Sequence, residues 1–240
     1  MMVNAAAEDA LERIVARAGD VQNAFTPGAS SPFGDVMTDA AGSRMTLDPL
    51  SVAAPADAYF IATDERGRTV YTRDGGFALA GGTLVGANGR AILGFRSASS
   101  PTGELHIDDV DAALNRAANV RIEADGTLAY DRAIIEPRTG ARETERVAVG
   151  RIALARFPAA TKLAPSDANH FLAPAGIVPH VGRAGDGSFA SVAPMERATS
   201  RIDFDRSLDR LEEAYVAFDA LQAAHKVQGG IGKTAMDLLK

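Results

Sequence analysis

The sequence predicts an α+β protein, with a mainly antiparallel β central domain flanked by N- and C-terminal amphipathic helices that pair. Three observations carry this prediction. Apolar residues near the start recur in alternating steps of 4 and 3. From Tyr59 to Leu93, short β-prone segments are separated by glycine-containing turn signals. A second helical periodicity begins at Ser207. The implied division is residues 1–45 for the first helix and an extended connector, 46–195 for the β-rich domain and 196–240 for the last helix.

In the first helix the apolar positions are Ala7, Leu11, Ile14, Ala18, Val21 and Phe25, a heptad-like seam on one face. Glu8, Asp9 and Glu12 lie near its start, where the helix dipole favours acids. Gly19 weakens it by about 1 kcal/mol relative to Ala, and Thr26-Pro27-Gly28 is expected to end it. A helix of this length is marginal alone and needs a partner. Residues 29–56, rich in Ala, Gly, Ser, Pro and Asp, read as an extended connector, with Leu47, Leu50 and Val52 pinning its end to the body.

The β region follows. Tyr59–Thr63 and Arg68–Thr72 flank the polar turn Asp64-Glu65-Arg66-Gly67, and further turns are expected at Asp74-Gly75, Gly81-Gly82 and Asn88-Gly89. Asx-Gly pairs supply the positive φ of tight hairpins, so an antiparallel meander is the expected order. More strands are expected at Val120–Ile122, at Thr127–Tyr130 after Asp125-Gly126, and at Val147–Phe157, where apolar and polar residues alternate only loosely. Pro and Gly punctuate residues 164–194, which read as loop. In the last helix Leu208, Leu211, Tyr215 and Phe218 step by 3, 4 and 3, until Gly229-Gly230-Ile231-Gly232 is expected to interrupt it.

Composition excludes several chemistries. The 240 residues have no cysteine, which removes disulfides, thiolate catalysis and Cys-ligated zinc. A net charge of −6 argues against broad binding to nucleic acid or to anionic membrane. No apolar run approaches the roughly 20 residues of a membrane span, and Met1–Ala10 lacks the basic and apolar regions of a secretory leader.

No motif argues for catalysis, and no cofactor or metal is expected. Gly229–Thr234 resembles a phosphate-binding loop, but Val227 stands where that motif needs glycine, and a helix precedes it instead of a strand. His106, His170, His180 and His225 lack metal-ligand spacing and read as polar surface residues. Asp108, Asp109 and Asp111 lack the glycine and terminal glutamate of a calcium loop. Ser188 and Ser207 lack the flanking glycines of a nucleophile elbow. A carboxylate pair of the glycosidase kind is open on spacing alone, but 6% aromatic residues and no Trp make a carbohydrate cleft unattractive.

Several motifs in order resemble the bacterial flagellar rod and hook family of axial proteins. They are Tyr71-Thr72-Arg73-Asp74-Gly75-Gly76-Phe77, Gly82-Thr83-Leu84-Val85 and Gly89-Arg90-Ala91-Ile92-Leu93-Gly94. The corresponding family patterns are Tyr-Thr-Arg-Asp-Gly-x-Phe, Gly-x-Leu-Val and Gly-x-x-Val-Leu-Gly. Upstream, Asp48-Pro49-Leu50-Ser51-Val52-Ala53 and Asp57-Ala58-Tyr59-Phe60 are similar to the segment leading into that domain. Downstream, Asp125–Leu128, Val149–Phe157 and Asn169-His170-Phe171 fall in the expected sequence. The ends diverge more: Gly19 and Asp20 replace a paired Asn, and Val216 replaces an Arg before Ala217-Phe218-Asp219-Ala220.

The resemblance implies a structural subunit of the flagellar basal-body rod, not an enzyme. Its partners would be other axial proteins and copies of itself, and export would run through the flagellar type III apparatus without a cleaved leader. The length is nearer the rod proteins than the hook protein. On this reading Leu11, Ile14, Val21, Phe25, Leu208, Leu211, Tyr215 and Phe218 form the assembly interface, while Tyr71, Thr72, Arg73, Asp74, Gly75 and Phe77 are structural, with Arg73 and Asp74 shaping a turn or a local ion pair. The alternatives are a monomeric β-rich binding module and a secreted carbohydrate-active enzyme.

Overall fold

The computed structural model describes residues 2–31, 34–37, 42–107, 117–135, 142–159 and 161–238, so the Asp108, Asp109 and Asp111 cluster lies outside the described residues. Two long helices, α1 (Met2–Asn23) and α2 (Phe204–Leu238), enclose a β body in sequence. The fold is α+β, with antiparallel pairing throughout the ladders.

Helix α1 stops at Asn23, and Thr26-Pro27-Gly28 lies in the turns beyond it. The main chain then reaches β1 (Ser43–Met45) and β2 (Val52–Ala53). Of the three expected pins, Val52 is fully buried and Leu50 packs on the core, but Leu47 is 95% exposed. Leu47 sits outside both short ladders, which explains why it gains no cover.

β3 (Tyr59–Thr63) and β4 (Thr69–Thr72) form the expected hairpin around Asp64, whose carboxylate accepts the amides of Arg66 and Arg68 at 2.9 and 2.8 Å. β5 (Ala78–Ala80) and β6 (Thr83–Val85) form a second hairpin, and the turn Asn88-Gly89 leads from β6 to β7 (Ala91–Phe95). Asn88 and Gly89 have φ of 60° and 68°, as this tight turn demands. The Asp74-Gly75 expectation fails. β4 pairs with β3 and β13, never with β5, and Gly75 is not among the positive-φ residues. The meander is therefore broken between β4 and β5.

β8 (Thr102–Glu104), β9 (Ala117–Ile122), β10 (Thr127–Ile135) and β11 (Arg142–Arg156) complete the larger strands. β10 and β11 run longer than expected because charged residues continue both strands, with Arg132 paired to Glu145 at 2.6 Å. β11 is the spine, pairing with β10, β7, β3 and β14. Residues 164–194 are not plain loop. They contribute β12 (Ala164–Pro165), β13 (His170–Leu172), β14 (His180–Arg183) and β15 (Ala193–Pro194), two to four residues each. β16 (Glu196–Ala198) then pairs with β1.

The spine is covered on both faces, so its hydrophobic pattern does not alternate cleanly. Phe60, Ala62, Ile152 and Leu154 enter the main core with Leu84, Ile92, Leu105 and Leu128. Ile61, Tyr71, Ala153 and Ala155 enter a second cluster behind it. A register shift places Leu128 opposite Gly150 but Ala129 opposite Ala148, which skips Val149 and resets which face each residue meets. The poor alternation read at Val149, Ile152 and Leu154 has this cause.

Helix α2 runs without interruption through Gly229-Gly230-Ile231-Gly232, contrary to the expected break. Glycine lowers helix stability by about 1 kcal/mol each but retains the N–H that proline lacks, so the hydrogen-bond ladder continues. Asp203 caps its start by accepting the Arg206 amide at 3.1 Å. Ser207 is buried there and donates its hydroxyl to the Asp203 carbonyl at 2.6 Å.

Candidate assembly surface and its anchor

The two helices form an antiparallel stem. At its base Phe25 meets Phe204, with ring centroids 5.2 Å apart, and Ser200 donates to the carbonyl of Asn23 at 3.1 Å. The Arg17 guanidinium grips Asp35 through both nitrogens at 2.9 and 3.0 Å, and Arg210 of α2 reaches the same carboxylate at 3.1 Å. Chiefly through the Arg17 bonds, this grip holds the Asp35 carboxyl below its usual range. Ala24, Ala29, Val36 and Ile202 make a small apolar core beneath it. Asp20, buried nearby, is pushed up by burial, which the Ser31 bond and Arg17 only partly offset.

Each helix turns a heptad-spaced row toward the other: Ala10, Ile14 and Val21 on α1, with Ala24 just beyond its end, and Ser207, Leu211, Ala214, Phe218 and Leu221 on α2 are among the less exposed positions. Of the eight expected interface residues, Ile14 is buried, and Val21, Leu211 and Phe218 are half-buried within this seam. Leu11 and Tyr215 are each 51% exposed, Phe25 is 77% exposed, and Leu208 is also outward. Sequence reasoning missed Val15 and Val216, which are exposed as well. Val15 follows Leu11 by one helical turn and extends its outward apolar face, whereas Val216 lies among Glu212, Glu213 and Asp219. A groove of about 980 Å³ runs between the helices, floored by Ala10, Ala214, Ala217 and Leu221 and rimmed by charges.

Tyr71–Phe77 anchors this stem to the body. Tyr71 and Thr72 lie on β4, Tyr71 packing edge-on against Phe157 at 4.8 Å, and Thr72 accepting the Asp74 amide at 3.0 Å. Phe77 packs edge-on against Phe60 in the main core at 5.0 Å. Arg73 and Asp74 do not pair with each other. Arg73 is buried, donates to the carbonyls of Ala56 and Ala58 at 2.6 and 3.1 Å, and lies over the Tyr59 ring. Asp74, also buried, receives Arg197 Nε and Nη2 at 2.7 and 2.9 Å, Asn169 Nδ2 at 2.9 Å and the Gly76 amide at 3.0 Å. The Asp74 bond raises the Arg197 pKa above its usual value.

Glycines let the layers approach. A Cβ on Gly75 would lie 1.7 Å from the Val52 carbonyl oxygen, and one on Gly28 would lie 2.5 Å from the Asp74 nitrogen. The turn after α1, strand β2, the segment before β13 and strand β16 thus converge on Asp74 and Gly75. Because Arg197 is on β16, which feeds α2 through residues 199–203, the ion pair ties the stem directly to the body.

The surface reading of the histidines fails at His170, which has no solvent exposure. Its Nδ1 meets Asp167 at 2.8 Å, and Asp167 also meets Arg90 at 2.7 Å. Burial lowers the His170 pKa, with Asp167 opposing the shift. Nucleophile geometry is not in evidence at Ser207, whose hydroxyl serves the helix start.

Residues 55–130 match the family model described as the flagellar hook protein FlgE/F/G D1 domain. The matched span runs from the approach to β3 into the first four residues of β10 and includes the Asp74 anchor. No curated protein matches the chain. The match makes residues 55–130 similar to that domain.

Proposed function

We propose that this chain is a subunit of the flagellar basal-body rod and polymerises through α1 and α2 into the hollow axial structure. The observation carrying this reading is the set of outward apolar side chains that remains after the helices have paired, Leu11 and Val15 one turn apart on α1, with Phe25, Tyr215 and Val216 also exposed. Contiguous exposed apolar surface marks an interaction site, and a head-to-tail contact that does not close produces a filament. With 22 and 35 residues, α1 and α2 span about 33 and 52 Å, so α2 extends well past its partner and reaches toward a neighbour. Other axial proteins and further copies of this chain are the partners in this reading, and the flagellar type III apparatus exports it.

The test is a Val15→Glu, Tyr215→Glu double variant, whose side chains point away from the intramolecular seam. The purified variant should melt at the wild-type temperature, while cells carrying it should lack complete rods and motility. Motile cells with normal basal bodies would overturn the reading.

A further inference from the structure

A pocket of about 170 Å³ opens where β1 and β16 meet the body, walled by Gly42, Ala54, Ala56, Ser191 and Ala193. Its one charged lining residue is Arg73, only 5% exposed. Among the described residues no carboxylate lies within ion-pair distance of Arg73. Its hydrogen bonds to the main-chain carbonyls of Ala56 and Ala58 both come from Nη1, and neither uses Nε or Nη2. Burial pushes the Arg73 pKa down, and Arg201 adds positive potential close by, which the Asp57 carboxylate opposes. A buried guanidinium with neutral acceptors alone is costly, because dipoles compensate its lost hydration less well than an anion does.

We propose that this pocket binds a carboxylate, with Arg73 as the charge and its planar fork as the recognition element. The small walls suit that ligand. At about 170 Å³ the pocket takes a group the size of acetate or the end of an Asp or Glu side chain. The Ser191 hydroxyl on the same wall can donate a further hydrogen bond. Nothing in this inference depends on rod assembly, and failure of either leaves the other standing.

The experiment titrates the full chain with sodium acetate against sodium chloride at equal ionic strength, following the Arg73 Nε–H resonance and the melting temperature. Acetate should shift the resonance saturably and raise the melting temperature, as a ligand of the folded state must, and chloride should do neither. Ser191→Met, exposed and therefore tolerated by the fold, should fill the pocket and abolish both responses while melting normally without acetate. Blocked Gly-Asp-Gly and Gly-Asn-Gly peptides distinguish the source: a response to the Asp peptide as well as to acetate admits a protein side chain, and a response to acetate alone restricts the site to small acids. Indistinguishable acetate and chloride titrations, or a Ser191→Met response equal to wild type, would overturn the proposal.

Discussion

Asp74 and Arg197 stand 123 residues apart in sequence, yet the carboxylate receives the guanidinium through two nitrogens, at 2.7 and 2.9 Å. Asp74 is 2% exposed while the Arg197 side chain is 34% exposed. The acid therefore carries the greater desolvation penalty, and losing the base leaves it with only neutral donors.

That asymmetry sets the first expectation. Arg197→Ala should cost about 2 kcal/mol in urea unfolding, below the 3–5 kcal/mol of a fully buried pair because the arginine is partly solvated. Arg197→Lys should recover less than half of this, since a point charge cannot span both oxygens. A wild-type unfolding midpoint for Arg197→Ala would show that the pair does not hold β16 to the body.

Gly75 is required for space, whereas Gly81 is required for conformation. A methyl group on Gly75 meets the Val52 carbonyl, while Gly81, at φ 54°, has nothing within 4 Å of an added Cβ. Gly75→Ala should therefore cost about 3 kcal/mol or more, the upper range of overpacking, and Gly81→Ala about 1–2 kcal/mol for a left-handed residue. Equal losses in chemical denaturation would refute the distinction.

Much of the hairpin order was readable because Gly81-Gly82, Asn88-Gly89 and Asp125-Gly126 act locally: a positive φ at a turn depends on the residues of that turn. Asp74-Gly75 has the same composition as these turns but answers to Val52, Asn169 and Arg197, none of them a sequence neighbour. No local pattern encodes such contacts. Strands β12 to β15 were missed for a related reason, being too short to show a period and held by partners far along the chain. At Gly229 the opposite happened, a local break signal overridden by helical residues on either side. The stem seam was legible in its spacing but not in its phase, since which apolar residues turn inward depends on where the partner helix lies.

His170 gives the fold a pH dependence. Its folded pKa lies below the usual 6.5 because burial disfavours the charged ring. As pH falls below about 6.5, the unfolded chain takes up a proton that the folded chain resists, so stability present above that pH is lost downward toward the folded pKa. Urea midpoints between pH 7.5 and 5.5 should fall for the wild type and flatten for His170→Asn. Asp35, Asp64 and Asp125 act in a separate window, their lowered pKa values withdrawing stability only below the usual 3.8. An unchanged slope in His170→Asn would assign the dependence elsewhere.

Leu211→Pro tests the independence of stem and body. Proline inside a helix costs roughly 3 kcal/mol or more, and Leu211 faces the α1 seam without touching the β core. The variant should lose helical circular dichroism, keep its β signal and fail to enter rods. Simultaneous loss of both signals would mean that the body needs the stem to fold.

The ladder of β1 and β16 pairs Ser43 with Ala198 and Met45 with Glu196. Seen from the helices, it is an ordinary antiparallel hairpin whose loop is residues 46–195. The chain leaves the stem and re-enters it at a single narrow gate, so the outer body can lengthen, shrink or change shape without altering the path of either helix. One stem design can in this way carry exteriors of different sizes, with the gate, not the stem, as the place where each exterior is fastened.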